Sequence, residues 1–439
     1  MELFLFKDLL VIFCFSILVL LVGHRFQIPP VVGYLITGVL AGPHGLGLVG
    51  KTEDVEVLAQ VGIILLLFGI GMEFSLKKLV QIKRLFLLGG SLQVGLTVLF
   101  SIALAWPFGR PLGESIFIGF MLAMSSTAIV LRQLEQASET QSPHGRLSIS
   151  ILIFQDIVAI PMILLTPLLV GASNEEKAFD PALLWLLAKG LVILVFVFVS
   201  AQRFVPKLLY AVAKTRNKEL FLLTVLSLCF GVAWLTSSLG LSLTIGAFLA
   251  GLILSESEYS NEAISHIFPF QALFISFFFI SIGMLLDVHF VFDQPLLILS
   301  LALAIIALKS IAASLTALLL RMPIRTAILV GIALSQIGEF AFVLAKTGHS
   351  HGLGNEYVYQ LFLAVSLLTL AISPFLINLG PKLANWFSSL PLPEKIRTGI
   401  AEKENQTAHK LEDHIIIIGF GVSGQNLARS SKLVNIPYT

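Results

Sequence analysis

The sequence contains thirteen apolar stretches, most of them about as long as a membrane-spanning helix, separated by short polar breaks. A helix needs roughly 20 apolar residues to cross the hydrocarbon core of a bilayer. Helices are the spanning form that fits, because isolated strands cannot satisfy their backbone in lipid and a barrel would show short alternating segments. The stretches are residues 8–23, 30–49, 55–74, 84–106, 114–134, 145–170, 181–202, 219–238, 240–256, 264–286, 294–320, 324–347 and 357–385.

Composition and charge exclude several other classes of protein. Apolar residues make up 56% of the chain and charged residues 12%, which rules out a soluble enzyme, a disordered chain and a secreted disulfide scaffold. Cys14 and Cys229 lie in apolar stretches, so a disulfide framework is not expected. A net charge of +2 without a basic run gives no indication of a nucleic-acid partner. The first stretch lacks a basic flank and a cleavage site, so we interpret it as a span and not as a signal peptide.

Lysine and arginine predict the orientation of the spans. One set of alternate loops carries fourteen of these residues, whereas the opposite set carries five. Positively charged loops stay in the cytoplasm, so we expect the N-terminus outside and the C-terminus inside, which requires an odd number of spans. The fourteen are Arg25, Lys77, Lys78, Lys83, Arg84, Arg132, Arg146, Arg203, Lys207, Lys214, Arg216, Lys218, Arg321 and Arg325, and the five are Lys7, Lys51, Arg110, Lys177 and Lys346.

Short matches relate the two halves of the membrane part. They occur in the same order and at a nearly constant offset of about 210 residues. Corresponding spans are seven apart, and seven is odd, so the halves cross the membrane in opposite directions. Such an inverted repeat is typical of secondary transporters. The matched pairs are 39–42 with 248–251, 70–72 with 282–284, and 125–127 with 335–338.

Spans 5 and 12 each contain a polar run in the middle of apolar sequence. Ser125, Ser126 and Thr127 form the first run, and residues 335–339 form the second. In inverted-repeat transporters such paired segments are interrupted helices whose hydroxyls and freed carbonyls replace part of the water shell of a cation. The alternative is that these small polar residues only allow the helices to pack closely. The repeat favours interrupted helices.

Asp156, Lys309 and Glu339 are charged residues near the centres of spans. Each costs on the order of 3 kcal/mol at mid-bilayer if unpaired, so we expect all three to face a polar interior. A buried carboxylate holds a proton or a cation in alternation, and this competition is what an exchanger needs from its central ligand. Gln155 adds an uncharged oxygen beside Asp156, and oxygen ligands suit a hard monovalent cation.

Lys309 and Glu339 are candidates for compensating the charge of Asp156. Lys309 is expected either to pair with Asp156 when no ion is bound or to form a purely structural salt bridge between two spans. Glu339 is either a second ligand or, as we favour, a packing partner.

The composition changes after the last span. The sequence divides into a transmembrane domain at 1–387, a linker at 388–412, and 413–439, where an apolar strand precedes Gly419, Gly421 and Gly424 and then a helix-like run. This order predicts the first part of a cytoplasmic Rossmann domain whose glycines approach a nucleotide phosphate, although a tight turn in an ordinary strand–helix unit gives the same pattern. One such unit is too small to bury a core, so we expect a domain cut short.

Taken together, these motifs resemble the second monovalent cation:proton antiporter family, and within it the Kef-type potassium/proton antiporters with a cytoplasmic RCK/KTN domain. The motifs that carry the resemblance are Gly33-Tyr34-Leu35 to Gly42-Pro43, Ser125-Ser126-Thr127-Ala128, Phe154-Gln155-Asp156, Gln336-Ile337-Gly338-Glu339-Phe340-Ala341-Phe342 and the glycine fingerprint.

The resemblance implies a fold, an assembly and a site. The fold is an all-α polytopic membrane protein of about 13 helices, with an inverted repeat and two crossed broken helices as in sodium/proton antiporters, followed by the start of a Rossmann-like α/β domain. The implied assembly is a homodimer in the prokaryotic inner membrane, with a six-helix core domain that slides in an elevator-like motion, and with a cytoplasmic ancillary subunit as a further partner. The ion-binding aspartate falls on Asp156, its neighbour on Gln155 and the intramembrane base on Lys309.

Regulation in such proteins is by a nucleotide, AMP or NAD(H), on the Rossmann domain, often with glutathione adducts. Glutathione-gated members carry an acidic loop before span 10. Here Ile264, His266 and Phe268 stand in that loop, so glutathione control is not implied.

The leading hypothesis is electroneutral exchange of potassium for protons, with Asp156, Gln155, Thr127, Ser126 and broken-helix carbonyls forming the ion site. Transport itself needs no cofactor, and the chain is not expected to be an enzyme. The alternatives are sodium/proton exchange by the same fold, a ligand-gated potassium channel, and a non-transporting sensor. The channel lacks support because no Thr-Val-Gly-Tyr-Gly filter is present. Intramembrane charges argue against the sensor.

Overall fold

The structure is a computed structural model of the 439-residue chain. It describes residues 2–25, 28–49, 52–73, 85–171, 204–238, 243–255, 257–391, 393–394, 397, 414–418, 422–434 and 436–438. The predicted span at 181–202 lies outside these residues, and so do Gly419 and Gly421.

The described membrane part is helical throughout. A π-helical turn at Leu85–Gly89 precedes the helix Gly90–Ala105, and a 3₁₀ turn at Trp106–Phe108 follows that helix. In chain order the helices are α1 (Glu2–Arg25), α2 (Pro30–Ala41), α3 (Thr52–Glu73), α4 (Gly90–Ala105), α5 (Leu112–Ala123), α6 (Thr127–Gln136), α7 (Pro143–Gly171), α8 (Phe204–Ala213), α9 (Lys218–Ser238), α10 (Leu243–Ser255), α11 (Ser260–Leu285), α12 (Val288–Asp293), α13 (Pro295–Leu319), α14 (Ile324–Ala333), α15 (Glu339–Ser350), α16 (Glu356–Ser388) and α17 (Val422–Leu433).

Nine helical segments of the described chain are long and apolar enough to cross a membrane, and one of these runs through the gap between α5 and α6. This confirms a polytopic helical membrane protein. The total of thirteen spans stays a prediction, since one of the predicted spans is not described.

One apolar stretch is a shorter helix than its length suggested. The stretch 30–49 was expected to be a single span, but α2 ends at Ala41 and a turn follows. Gly42 and Pro43 explain the early end, because the residue before a proline avoids the helical region. Gly47 then adopts a φ of +63°, which glycine accepts without strain.

The packing of α2, α3, α10 and α11 follows the inverted repeat. Helix α2 packs on α11, and α3 packs on α10. In the repeat α2 corresponds to α10 and α3 to α11, so the two contacts are equivalent. A Cβ atom on Gly42 would lie 2.9 Å from the backbone of Met284, and one on Gly251 would lie 2.9 Å from the backbone of Met72. Gly42 corresponds to Gly251 and Met72 to Met284, so the two close approaches are repeat mates.

The two largest of four apolar clusters among the described residues organise most of the helices. One surrounds the junctions between α5 and α6 and between α14 and α15, and it includes α7, α13 and α16. The other joins α3 with α8, α9, α10 and α11. The first cluster therefore encloses the polar runs that the sequence singled out.

Candidate functional site

Both polar runs interrupt their helices. Helix α5 ends at Ala123 and α6 begins at Thr127, with extended backbone at Met124 and Ser126 between them. Helix α14 ends at Ala333 and α15 begins at Glu339, after extended backbone at Gly338. The N–H and C=O groups at these helix ends have no hydrogen-bond partner within the helix, so they are available to line an ion site.

The two interruptions are hydrogen-bonded to each other. The Gly338 N–H donates to the Met124 carbonyl at 3.1 Å, and the Ser125 hydroxyl donates to the Leu334 carbonyl at 3.0 Å. A Cβ atom on Gly338 would lie 2.4 Å from the Ser125 carbonyl group, so only glycine allows this approach. The polar runs thus come together in the middle of the bundle, as the repeat predicts.

Asp156 lies beside the first interruption, on α7. The Thr127 hydroxyl lies 3.0 Å from Oδ2 and 3.2 Å from Oδ1 of Asp156, and donates to this carboxylate. Both side chains are half-buried, whereas the neighbouring Ser125, Ser126 and Gln155 are fully enclosed. A carboxylate and a hydroxyl that keep access to solvent, next to free helix ends, can exchange a proton for a hard cation.

Both the oxygen and the nitrogen of the Gln155 amide form hydrogen bonds. Its Oε1 accepts from the Ser125 N–H at 2.9 Å, and its Nε2 donates to Gln93 Oε1 at 2.7 Å. Gln93 in turn donates to Thr97 at 3.2 Å. In this arrangement the amide braces the first interruption, and its role as an ion ligand stays a prediction.

Sequence reasoning missed Gln93. The available signal was an amide and a hydroxyl, Gln93 and Thr97, spaced four residues apart on one face of an apolar span. Both are fully buried on α4.

Ser126 caps α6, because its hydroxyl accepts from the Ile129 N–H at 3.4 Å. It also lies within hydrogen-bonding reach of Glu339, the first residue of α15. The Glu339 carboxyl is buried at a helix N-terminus, where the helix dipole favours negative charge. Its second oxygen has no hydrogen-bond partner among the described residues, nor do the amide atoms of Gln336.

Lys309 has a different partner from the one that the sequence suggested. Its fully buried ammonium group donates to the carbonyls of Leu122 and, at 2.8 Å, of Met124. The ion pair with Asp156 is not found among the described residues. The reason is local: the last carbonyls of α5 have no helical partner and carry the negative end of the helix dipole, so they solvate the ammonium group.

The tail shows only fragments of the predicted nucleotide site. Gly424 is buried at the start of α17, and Ile415 forms a parallel bridge with Tyr438. Because the other two glycines lie outside the described residues, the nucleotide site stays a prediction.

Among the described residues no cluster of three or more His, Cys, Asp or Glu side chains has the geometry to hold a metal ion. Asp156 and Thr127 place a carboxylate and a hydroxyl oxygen side by side next to the first interruption. Fold and site together define a helical membrane transporter with two interrupted helices meeting beside a carboxylate.

The family follows from sequence comparison. The chain matches the model of the transmembrane sodium/hydrogen exchanger over residues 10–378, and it belongs to that family. It is 34% identical over 98% of its length to the putative K⁺ efflux antiporter KefB of Alkalimonas amylolytica, and spans 65% of that protein. It is 35% identical over 88% of its length to K⁺ efflux antiporter 5 of Arabidopsis thaliana, covering 70% of that protein.

A solved structure shares the fold. The sodium proton antiporter MjNhaP1 from Methanocaldococcus jannaschii aligns with a TM-score of 0.63, covering 88% of this chain and 98% of that one. The identity is 14%, so the likeness concerns the arrangement of helices and not the site residues.

Proposed function

We propose that the protein exchanges a monovalent cation, K⁺, for protons, with Asp156 as the group that carries each in turn. The observation that carries the proposal is the half-buried Asp156 carboxylate, hydrogen-bonded to Thr127 at the junction of two interrupted helices. Membership of the sodium/hydrogen exchanger family supports exchange, and the names of two relatives, both K⁺ efflux antiporters, support potassium.

The exchange step rests on competition at one carboxylate. A bound proton neutralises Asp156 and removes the charge that attracts a cation. A bound cation lowers the affinity of the same oxygens for a proton. Thr127 supplies a neutral oxygen in either case, and the carbonyls and hydroxyls of the first interruption, Ser126 included, complete the set. Gln155 contributes by holding Ser125 in place, and its carbonyl oxygen has a second lone pair for the ion.

Lys309 and Glu339 set the electrostatics around this site. The ammonium group of Lys309 binds two carbonyls at the end of α5, which keeps them from a cation. It thereby restricts the ligand set to the Asp156 side of the interruption. Glu339 balances that charge from the N-terminus of α15.

A cavity of about 450 Å³ lies between the α1–α2 connection and α6. Its walls include His24, Pro29, Ala128 and Arg132, and Ala128 is next to Thr127. We assign this cavity as the aqueous route from the cytoplasmic side to Asp156. Alternating access then requires the half that carries α5, α6 and α7 to move relative to α1 and α2, in the elevator-like manner of a homodimer with a sliding core. That the two broken spans cross stays a prediction of the same scheme.

Regulation belongs to the segment after the membrane part. The proposed division is 1–387, 388–412 and 413–439, with a regulatory nucleotide, AMP or NAD(H), on the glycine segment of the last part. A cytoplasmic ancillary subunit remains a proposed partner.

The deciding experiment is a proton-flux assay on proteoliposomes with an imposed potassium gradient, with Asp156→Asn as the test variant. We expect loss of exchange, because an amide does not take up and release a proton near neutral pH and lacks the negative charge that the carboxylate offers a cation. Asp293→Asn is the matched control, since Asp293 is exposed at the end of α12. Normal exchange by Asp156→Asn would refute the proposal.

Selectivity is tested in the same vesicles. Gradients of potassium, sodium, rubidium and lithium are applied in turn, with and without AMP or NAD(H). A larger flux with sodium than with potassium would show that the transported cation is Na⁺ and not K⁺. The assignment of Asp156 would be unchanged. Single-channel currents would instead indicate a channel.

A further inference from the structure

An apolar groove of about 320 Å³ opens between α4, α5, α13 and α16, away from Asp156. We call it the α4–α13 groove. Charged residues occur in its lining only at the mouth, as Arg110 and Glu114. Its apolar walls include Leu104, Ile118, Leu301, Ile305, Leu361 and Val365.

The groove opens toward the part of the surface that contacts lipid. Its two outer walls, α4 and α13, belong to spans that are less buried than the average of the described bundle. Leu104 of α4 is 56% exposed, and Leu303 of α13 is 55% exposed. In a membrane protein such leucines face acyl chains, so the groove is a cleft in the lipid-facing wall and not an aqueous funnel.

The mouth of the groove has the composition of a membrane interface. Trp106 and Phe108, in the turn that follows α4, are 77% and 76% exposed. Exposed aromatic rings at the end of a span lie at headgroup level. Beside them, the side chain of Arg110 is 44% exposed, and its guanidinium contacts Glu114 at 3.0 Å. A guanidinium has five N–H donors, so this one keeps donors for a phosphodiester.

The groove is not a general consequence of the repeat. At the offset of about 210 residues, Leu301 and Val365 correspond to the region of Gly90 and Phe154. There the ring of Phe154 lies directly over Gly90 and packs edge-on against Phe86 at 5.3 Å. The protein fills the equivalent space in one half with its own aromatic ring and leaves it open in the other.

We propose that the α4–α13 groove holds one acyl chain of a phospholipid, with the phosphate of that lipid at Arg110. The acyl chain takes the place that the Phe154 ring occupies in the other half of the repeat. The floor of the groove is formed by Leu122 and Ile337. The Leu122 carbonyl accepts a hydrogen bond from Lys309, and the Ile337 N–H donates to the Thr369 hydroxyl at 3.3 Å. The bound acyl chain therefore contacts the last turn of α5 and the second interruption.

The first test measures lipid retention. Protein purified from membranes is analysed by native mass spectrometry for wild type, Leu301→Trp and Leu303→Trp. Leu301 lines the groove, whereas Leu303 lies on the same helix outside it, so the pair separates groove filling from a general effect of tryptophan. We expect Leu301→Trp to retain about tenfold less phospholipid, because each methylene group excluded from an apolar site weakens binding. Equal retention by the two variants would overturn the proposal.

The second test uses the headgroup contact and does not depend on filling the groove. Arg110→Gln is compared with wild type in nanodiscs of phosphatidylglycerol and phosphatidylethanolamine. In cryo-electron-microscopy maps, we expect acyl-chain density in the groove of both proteins. Density for the phosphate is expected next to residue 110 in wild type only. An empty groove, or density from a second copy of the chain, would show that no lipid is bound there.

Discussion

At the scale of single residues, Thr127 links the carboxylate to the broken helix. It is the first residue of α6, and its hydroxyl reaches Asp156 on α7. The backbone of Thr127 starts a helix, while its hydroxyl binds the carboxylate that we propose as the ion-carrying group. Lys309 shows the complementary case, a charge whose partners are backbone carbonyls.

Replacing Thr127 by valine tests this role. The variant removes the hydroxyl that we propose as an ion ligand and keeps the shape of the side chain. We expect the potassium concentration for half-maximal proton flux to rise about tenfold, because a hydrogen bond to a charged group contributes roughly 1.5–3 kcal/mol. Thr127→Ser is the matched control and should keep near-normal affinity. Identical fluxes for valine and serine variants would show that the hydroxyl does not serve the ion.

At the scale of helices, the site exists because two helices stop. The backbone groups at Met124 and Gly338 that would continue them bond to each other instead. Each interruption therefore depends on the other, and the tight approach depends on the absence of a side chain at residue 338.

Substitution of Gly338 by alanine tests that dependence. The added Cβ meets the Ser125 backbone at 2.4 Å, so the two interruptions must separate. We expect the free energy of unfolding to fall by about 1–3 kcal/mol, as in other overpacked sites, and transport to be lost. Gly95→Ala is the control: a Cβ there has open space, and alanine favours the helix. A thermal-unfolding scan in detergent compares the two variants; equal melting temperatures would contradict the proposed contact.

At the scale of the whole molecule, the repeat describes how the two halves of the described membrane part pack together. The mirrored glycine contacts of α2 with α11 and of α10 with α3 show how two oppositely directed halves interlock. Orientation in the membrane is a separate matter, because the helix packing is the same whichever end faces the cytoplasm.

Single-cysteine labelling tests the orientation. In a protein lacking Cys14 and Cys229, Gln141→Cys and Asp293→Cys place thiols in exposed positions at the α6–α7 turn and at the end of α12. The positive-inside rule predicts that an impermeant maleimide added to intact cells labels residue 293 and not residue 141. The reverse pattern would invert the proposed topology.

The sequence alone predicted the helical membrane class, the inverted repeat and the positions of both interruptions, because all three follow from periodicity and from polar residues in apolar runs. It also nominated Asp156, since an intramembrane carboxylate is costly wherever it lies. It predicted the wrong end point for α2, where local turn residues ended the helix early.

Only the tertiary structure decided the partners. Lys309 was expected beside Asp156 because opposite charges attract, yet the end of α5 offered it two carbonyls without helical hydrogen bonds. Gln93 became part of the site because α4 packs against α7 there. Composition states which groups need a partner inside a membrane, whereas the three-dimensional packing of distant helices determines which partner each one finds.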